Sequence, residues 1–161
     1  MAGKKEDKRA FDAALDYLTR SARSFKEVKE KLYQKGYNKS EVDETMEKLT
    51  DYRFVNDEQY VKYFLDLYGN QYGRAKIIYK LTLEKGINKE IAETLVYECL
   101  SDEKELEKAV SQAKKYAERK KISDKKDAHK IGAYLYSRGF EWDIIKKSLT
   151  KINMPEEEYT P

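Results

Sequence analysis

One short phrase occurs three times in this chain and limits what it can fold into. Lys35-Gly36-Tyr37, Lys85-Gly86-Ile87 and Arg138-Gly139-Phe140 each set a basic residue, a glycine and a large apolar residue in a row. The glycines at 36, 86 and 139 stand 50 and 53 positions apart. Eight positions before them come Val28, Ile78 and Ile131. Four before come Leu32, Thr82 and Leu135, so the middle copy is irregular there. Five after come Glu41, Ile91 and Ile144, with Val42 making good the first. A period near 50 that carries one supersecondary unit is the pattern of a helical array. The glycine suits the left-handed position just past a helix end, and the apolar residue after it can fold back onto that helix. Three helix ends alike by chance would not bring matching apolar flanks.

In chain order, a first helix from about residue 10 presents Phe11, Ala14, Leu15, Leu18 and Ala22 on one face. Ser24 with Glu27 forms a capping box and opens a helix with Phe25, Val28 and Leu32 inward, ended by Gly36. Ser40 with Asp43 reads as the cap of a third helix bearing Val42, Met46 and Leu49. Asn56 with Gln59 opens a fourth, carrying Tyr60, Val61, Phe64, Leu65 and Tyr68. Gly69 and Gly73 bracket a break. A fifth helix with Ile77, Ile78 and Leu81 stops at Gly86, and a sixth from Asn88 spaces Ile91, Leu95 and Cys99 four apart. The seventh opens at Ser101, with Asp102 and Glu103 favourable against the helix dipole. Its face of Leu106, Val110, Ala113 and Ala117 is thin, so loose packing is expected. After a loop at Ile122-Ser123-Asp124 come a helix with Ile131 and Leu135 and a last one with Trp142, Ile145, Leu149 and Ile152. No alternating run argues for a sheet. The reading is all-α: three tandem three-helix repeats, 10–52, 53–100 and 101–153, stacked into an elongated, curved helical array. A flexible lead-in is expected over 1–9 and an acidic flexible tail over 154–161.

Composition narrows the function classes. No apolar run approaches the roughly 18 residues that span a bilayer, and the charged start lacks the apolar core of a signal peptide. Cys99 is the single cysteine, which leaves no intrachain disulfide and no cysteine cluster for zinc; a cytoplasmic location is expected. His129 is the single histidine, so no multi-histidine metal site exists, and no glycine-rich phosphate loop occurs. The carboxylates stand mostly at helical spacing from lysines and read as surface pairs. No catalytic residue, metal ligand or cofactor site is expected, and a binding protein is favoured over an enzyme. The net charge of +3 demands no nucleic acid. Between Lys104 and Lys130, however, ten basic residues face five acidic ones, which suits either an anionic partner or a solvated face. Fourteen tyrosines suit helix interfaces and protein-binding surfaces, and can also stack on bases.

The order of the motifs resembles a known family. Leu18-x-Arg20-x-x-Arg23-Ser24 with Val28 and Lys31-Leu32 comes first, then Phe54-Val55-Asn56-Asp57-x-x-Tyr60-Val61. Gly73-Arg74 with Ile77, Lys85-Gly86-Ile87 and Arg138-Gly139-Phe140 follow. Over residues 10–152 this is similar to the RecX family of bacterial recombination regulators. Two departures stand in the second repeat: Leu67-Tyr68-Gly69, where the family often carries an arginine, and the register of Leu81-Thr82-Leu83. The resemblance implies an all-helical modulator of the RecA recombinase, acting in recombination, DNA repair and the SOS response. It would bind along the groove of the RecA–DNA filament and inhibit ATP hydrolysis and strand exchange. Under that reading the expected partner contacts are exposed basic residues near helix ends: Arg20, Arg23, Arg74, Lys76 and Arg138. A second set is Lys115, Arg119, Lys120, Lys126 and Lys130. For each, a local salt bridge is the competing reading, and Arg20 and Arg23 could instead tie the first two helices together. A monomer is expected, with only weak, salt-sensitive affinity for single- or double-stranded DNA. A direct DNA-binding helical module and a helical adaptor for another protein stay open as alternatives.

Overall fold

The computed structural model describes residues 2–155, with side chains from Lys8 onward. Among the described residues every regular element is helical. The elements are α1 (Ala2–Arg20), α2 (Phe25–Gln34), α3 (Lys39–Asp51), α4 (Asp57–Tyr68), α5 (Arg74–Tyr79), α6 (Lys89–Cys99), α7 (Asp102–Lys120), α8 (Ala128–Ser137) and α9 (Trp142–Lys151). A π-helical turn (Lys80–Glu84) continues α5, and a 3₁₀ turn (Lys125–Asp127) precedes α8. The chain divides into two compact units: residues up to Tyr63 with Lys80–Ala92, and Phe64–Tyr79 with Glu93 onward.

In the first unit α1 packs across α2 and α3. Ala14, Val28, Leu32, Val42, Met46, Leu49 and Val55 close the core, with Phe11, Leu15, Tyr17 and Leu18 packed around it. The expected Ser24–Glu27 capping box is present in both directions. The cap of α3 is not Ser40 with Asp43. It is Asn38 with Glu41, two residues earlier, where both reciprocal bonds form. Asn56 does accept the Gln59 amide at 3.1 Å. Helix α1 begins at Ala2, so residues 2–9, expected to precede the first helix, extend it; no proline or glycine pair interrupts them.

In the second unit α7 packs against both α8 and α9. The core is Ala109, Ala113, Ile131, Leu135, Phe140, Ile144, Ile145 and Leu149. The loose packing expected of α7 is not found. The buried stripe is Glu105, Ala109 and Ala113, one position round from Leu106 and Val110, and its small side chains let the neighbouring helices approach. Met154, expected to open the tail, packs against this core, and its amide bonds back to the Leu149 carbonyl at 2.9 Å. The rest of that acidic tail, from 156, lies outside the described residues, as does residue 1.

The three glycine turns are built alike. Gly36, Gly86 and Gly139 take φ values of 91°, 69° and 90°, the left-handed region that glycine enters without a Cβ clash. The apolar residue after each bonds back to a buried leucine: Tyr37 to Leu32, Phe140 to Leu135 and Ile87 to Leu81. The count back is five residues in the first and third turns and six in the second. One extra residue is taken up in the Lys80–Glu84 turn, as a π-helix does by bonding one residue further on. Ile77 and Leu81, rather than Ile78 and Thr82, therefore occupy the buried positions matching Val28 and Leu32. This is the physical reason for the irregular middle copy. After each glycine the next helix buries the sixth residue on, Val42, Ala92 and Ile145. In α6 the inward face is accordingly Ala92 and Val96, with Ile91, Leu95 and Cys99 only half-buried.

Candidate functional site

Within each unit a glycine turn receives the start of a helix. In the second unit the amides of Gly73 and Ala75 donate to the carbonyls of Arg138 and Gly139, at 2.8 and 3.1 Å. These bonds satisfy two of the donors that a helix start leaves open. The backbones approach so closely that a Cβ on Gly73 would collide with the Gly139 carbonyl and the Phe140 amide, and one on Gly139 would strike Lys76. The Arg74 amide donates to the Glu105 carboxylate at 3.1 Å. In the first unit Gly86 lies against the Lys26 side chain at the start of α2, and the Phe25 amide donates to Asp57 at 2.9 Å. Lys26 and Lys76 each stand ten residues before the glycine of their own repeat, so the two junctions use corresponding positions.

Charge locks each junction. Lys85 pairs with Glu27 at 2.7 Å, and its pKa rises above the ordinary lysine value through that bond first. Burial, with the charge of Glu27 second, pushes the Tyr60 hydroxyl up to about 12. Asp57 is raised above the ordinary carboxylate value by burial, against the amide of Phe25 that it accepts.

In the second unit Arg74 is 3% exposed. It donates to the Leu100 carbonyl at 3.1 Å, to Asp102 at 2.7 Å and to Glu141 at 2.6 Å, and lies 4.4 Å over the Tyr97 ring. Burial, the largest influence, works against its charge. Asp102, Glu141 and Glu105 together outweigh it, so the guanidinium titrates above its ordinary value. Tyr97 donates to Glu141, which with burial pushes its hydroxyl up to about 12. Lys108 donates to the Gly69 carbonyl at 2.7 Å and pairs with the fully buried Glu105; burial holds its pKa below the ordinary lysine value despite that partner.

The expectation that Arg74 is exposed for a partner is therefore corrected: its fork is closed by carboxylates of the same unit. Lys76 and Arg138 are half-buried rather than exposed. Both lie on the Tyr72 ring, at 4.8 and 4.7 Å, and reach the carbonyls of Ser137 and Gln71. Arg20 is exposed and pairs with Asp16 on its own helix at 3.3 Å. Arg23 is half-buried over the Tyr17 ring at 4.4 Å. Sequence reasoning missed Asp102, Glu105, Glu141 and Tyr97 as the closure of Arg74. No local signal could have found Glu141, which is 67 residues away.

The profile of the first three-helix domain of RecX matches residues 10–49, and that of the third matches residues 102–149. The regulatory protein RecX of Caldanaerobacter subterraneus subsp. tengcongensis is 34% identical over 145 residues, covering 89% of this chain and 71% of that protein. The chain belongs to the RecX family. The regulatory protein RecX of Bacillus subtilis is 28% identical over 158 residues, and the chain spans 59% of its length. The crystal structure of RecX from Lactobacillus salivarius superposes with a TM-score of 0.85 at 29% identity, over 93% of this chain and 98% of that one.

In this RecX chain the second set of basic residues is exposed: Lys115 and Lys120 on α7, Arg119 beside them, Lys126 in the 3₁₀ turn and Lys130 on α8. Arg119 lies 5.5 and 5.9 Å from the rings of Tyr116 and Tyr134, which stack on each other at 4.1 Å. Lys126 and Lys130 have local carboxylates, Asp124 at 3.4 Å and Asp127 at 3.0 Å. No helix among the described residues is long and apolar enough to cross a membrane.

Proposed function

We propose that this chain is a RecA regulator without catalysis of its own, which binds the RecA–DNA filament in the cytoplasm, inhibits RecA ATP hydrolysis and strand exchange, and so modulates recombination and DNA repair. The observation that carries this reading is its membership of the family of regulatory proteins named RecX. The contact surface we assign is the exposed set on α7 and α8, Lys115, Arg119, Lys120, Lys126 and Lys130, because these heads are open to solvent while Arg74 is enclosed. Exposed cations of this kind act mainly through association rate and salt dependence.

DNA-dependent ATP hydrolysis by RecA on single-stranded DNA, titrated with this protein, tests the proposal. A dose-dependent fall is expected, and charge reversal of the five residues should weaken it while circular dichroism keeps its helical signal. Folded protein that leaves hydrolysis unchanged at every dose refutes the RecA reading. Binding to bare DNA that falls steeply with salt, together with no effect on RecA, would instead make the chain a DNA-binding module.

A further inference from the structure

Leu15 and Leu18 lie on the apolar face of α1, yet packing in the first unit leaves both only half-buried. They form one wall of a groove of about 550 Å³, whose other walls include Phe54 and, from α4, Tyr60 and Tyr63. That volume suits a small molecule or a few residues of peptide. The far side is fixed, since the Tyr63 hydroxyl and Ser21 Oγ are 2.9 Å apart. Phe54 is 52% exposed, although its ring is braced by Phe11 and Tyr52 at 6.3 and 6.4 Å.

Two guanidiniums stand at this groove, and neither has an acidic partner among the described residues. Arg23 lies half-buried over the Tyr17 ring at 4.4 Å, which fixes where its guanidinium stands at the groove. Arg53 follows α3 with φ 58°, the left-handed setting that Gly36, Gly86 and Gly139 take after other helices. Lys121 and Asn153 take the same setting, with φ 56° and 60°; what sets Arg53 apart is its place on an apolar groove. No carboxylate lines the groove.

We infer that this groove docks an acidic peptide, in which carboxylates flank an aromatic or large aliphatic residue. The apolar side chain enters between Leu18 and Phe54, and the carboxylates meet Arg23 and Arg53 as charge-assisted, fork-shaped pairs. A nucleic-acid strand fits less well. The helices that build the groove also carry Asp16, Asp57 and Glu58, which oppose a continuous run of phosphates. A peptide brings its charge only where the arginines stand. This inference does not rest on the RecA reading, and its test contains no RecA.

The probe is a fluorescein-labelled peptide with two aspartates on either side of a phenylalanine, titrated with the whole chain by anisotropy. Saturable binding is expected. Arg53→Gly should weaken it about tenfold or more, while the thermal midpoint holds or rises, because glycine relieves the left-handed strain. Arg23→Gln should weaken it comparably, as should alanine in place of the peptide's phenylalanine. No saturable binding up to millimolar peptide overturns the inference. So does an affinity within twofold of the parent for both variants. An oligothymidylate of equal charge that loses affinity in both variants, where the peptide does not bind, overturns it in favour of nucleic acid.

Discussion

Replacing Arg74 by alanine separates a framework role from a contact role. The guanidinium is 3% exposed and serves Leu100, Asp102, Glu141 and the Tyr97 ring. Its parts are unequal. Asp102 is 76% exposed and regains water once released, so that pair is worth about 1 kcal/mol or less. The bond to the Leu100 carbonyl contributes about 1 kcal/mol, and the stacking on Tyr97 about 0.5–1 kcal/mol. Glu141 is 32% exposed and loses a charged hydrogen bond worth about 1.5–3 kcal/mol. A loss of about 4 kcal/mol is expected, within the range for removing one member of a buried ion pair. Urea unfolding followed by circular dichroism measures it, and Asp102→Asn, within about 1 kcal/mol of the parent, is the control. Arg74→Met combined with Glu141→Gln should recover part of the loss, since Asp102, the partner then left charged without Arg74, is well exposed. An Arg74→Ala protein that keeps parental stability but no longer inhibits RecA would refute this reasoning and return Arg74 to the partner surface.

The two kinds of glycine should respond differently to alanine. Gly73→Ala forces apart the Arg138–Gly139 turn and strains the bonds from Gly73 and Ala75, costing about 3 kcal/mol or more in the same urea assay. Gly36→Ala meets nothing within 4 Å and bears only its φ of 91°, about 1–2 kcal/mol; equal losses would contradict the close-approach account. Asp57→Asn tests the raised carboxylate. Because the folded pKa lies above the 3.8 of the free group, its favourable share is complete below 3.8 and is lost as pH rises through the folded value. Asparagine can still accept the Phe25 amide, so the variant should equal or slightly exceed the parent at pH 7, and the gap should close below pH 3.8; a variant less stable at pH 7 would reverse the sign.

Much of the fold was legible because the repeat is written in local chemistry. Gly36, Gly86 and Gly139 mark helix ends through their backbone freedom, and Ser24 with Glu27 marks a helix start through two short-range bonds. What stayed illegible depended on offsets of one or two residues. Ser40 and Asp43 have the right spacing for a cap, but Asn38 and Glu41 compete for the same turn and lie closer to Gly36. Thr82 stands where the other two copies have leucine, and the wider turn of Lys80–Glu84, invisible to a period of 3.6, explains why Leu81, expected on that helix, fills the buried position. On α7 a one-residue offset hid a buried carboxylate, because Glu105 reads as solvated charge beside Lys108, three residues on, until the Arg74 amide arrives from elsewhere in the chain.

The same logic redistributes the basic residues. Cations near helix starts and ends were the first expected partner contacts. Several of them, and Lys85 with them, have a nearer use. Lys85 and Arg138, each one residue before its glycine, are held by Glu27 and by Tyr72 with Gln71, and Arg74, one residue after Gly73, is enclosed by Asp102 and Glu141. A cation that completes a junction inside the unit has fewer hydrogen bonds to offer another molecule. Cations without an acidic partner among the described residues include Lys35, which is exposed on the motif itself, and, off the motif, Lys115 and Lys120 on α7 and Arg23 and Arg53 at the groove of the first unit. Arg53 combines a backbone setting that would be easier for glycine, shared with Lys121 and Asn153, with a place on an apolar groove that no carboxylate lines. A partner surface on this chain is therefore to be sought where charge is unmatched within the unit, and the glycine motif reports how the helices are joined.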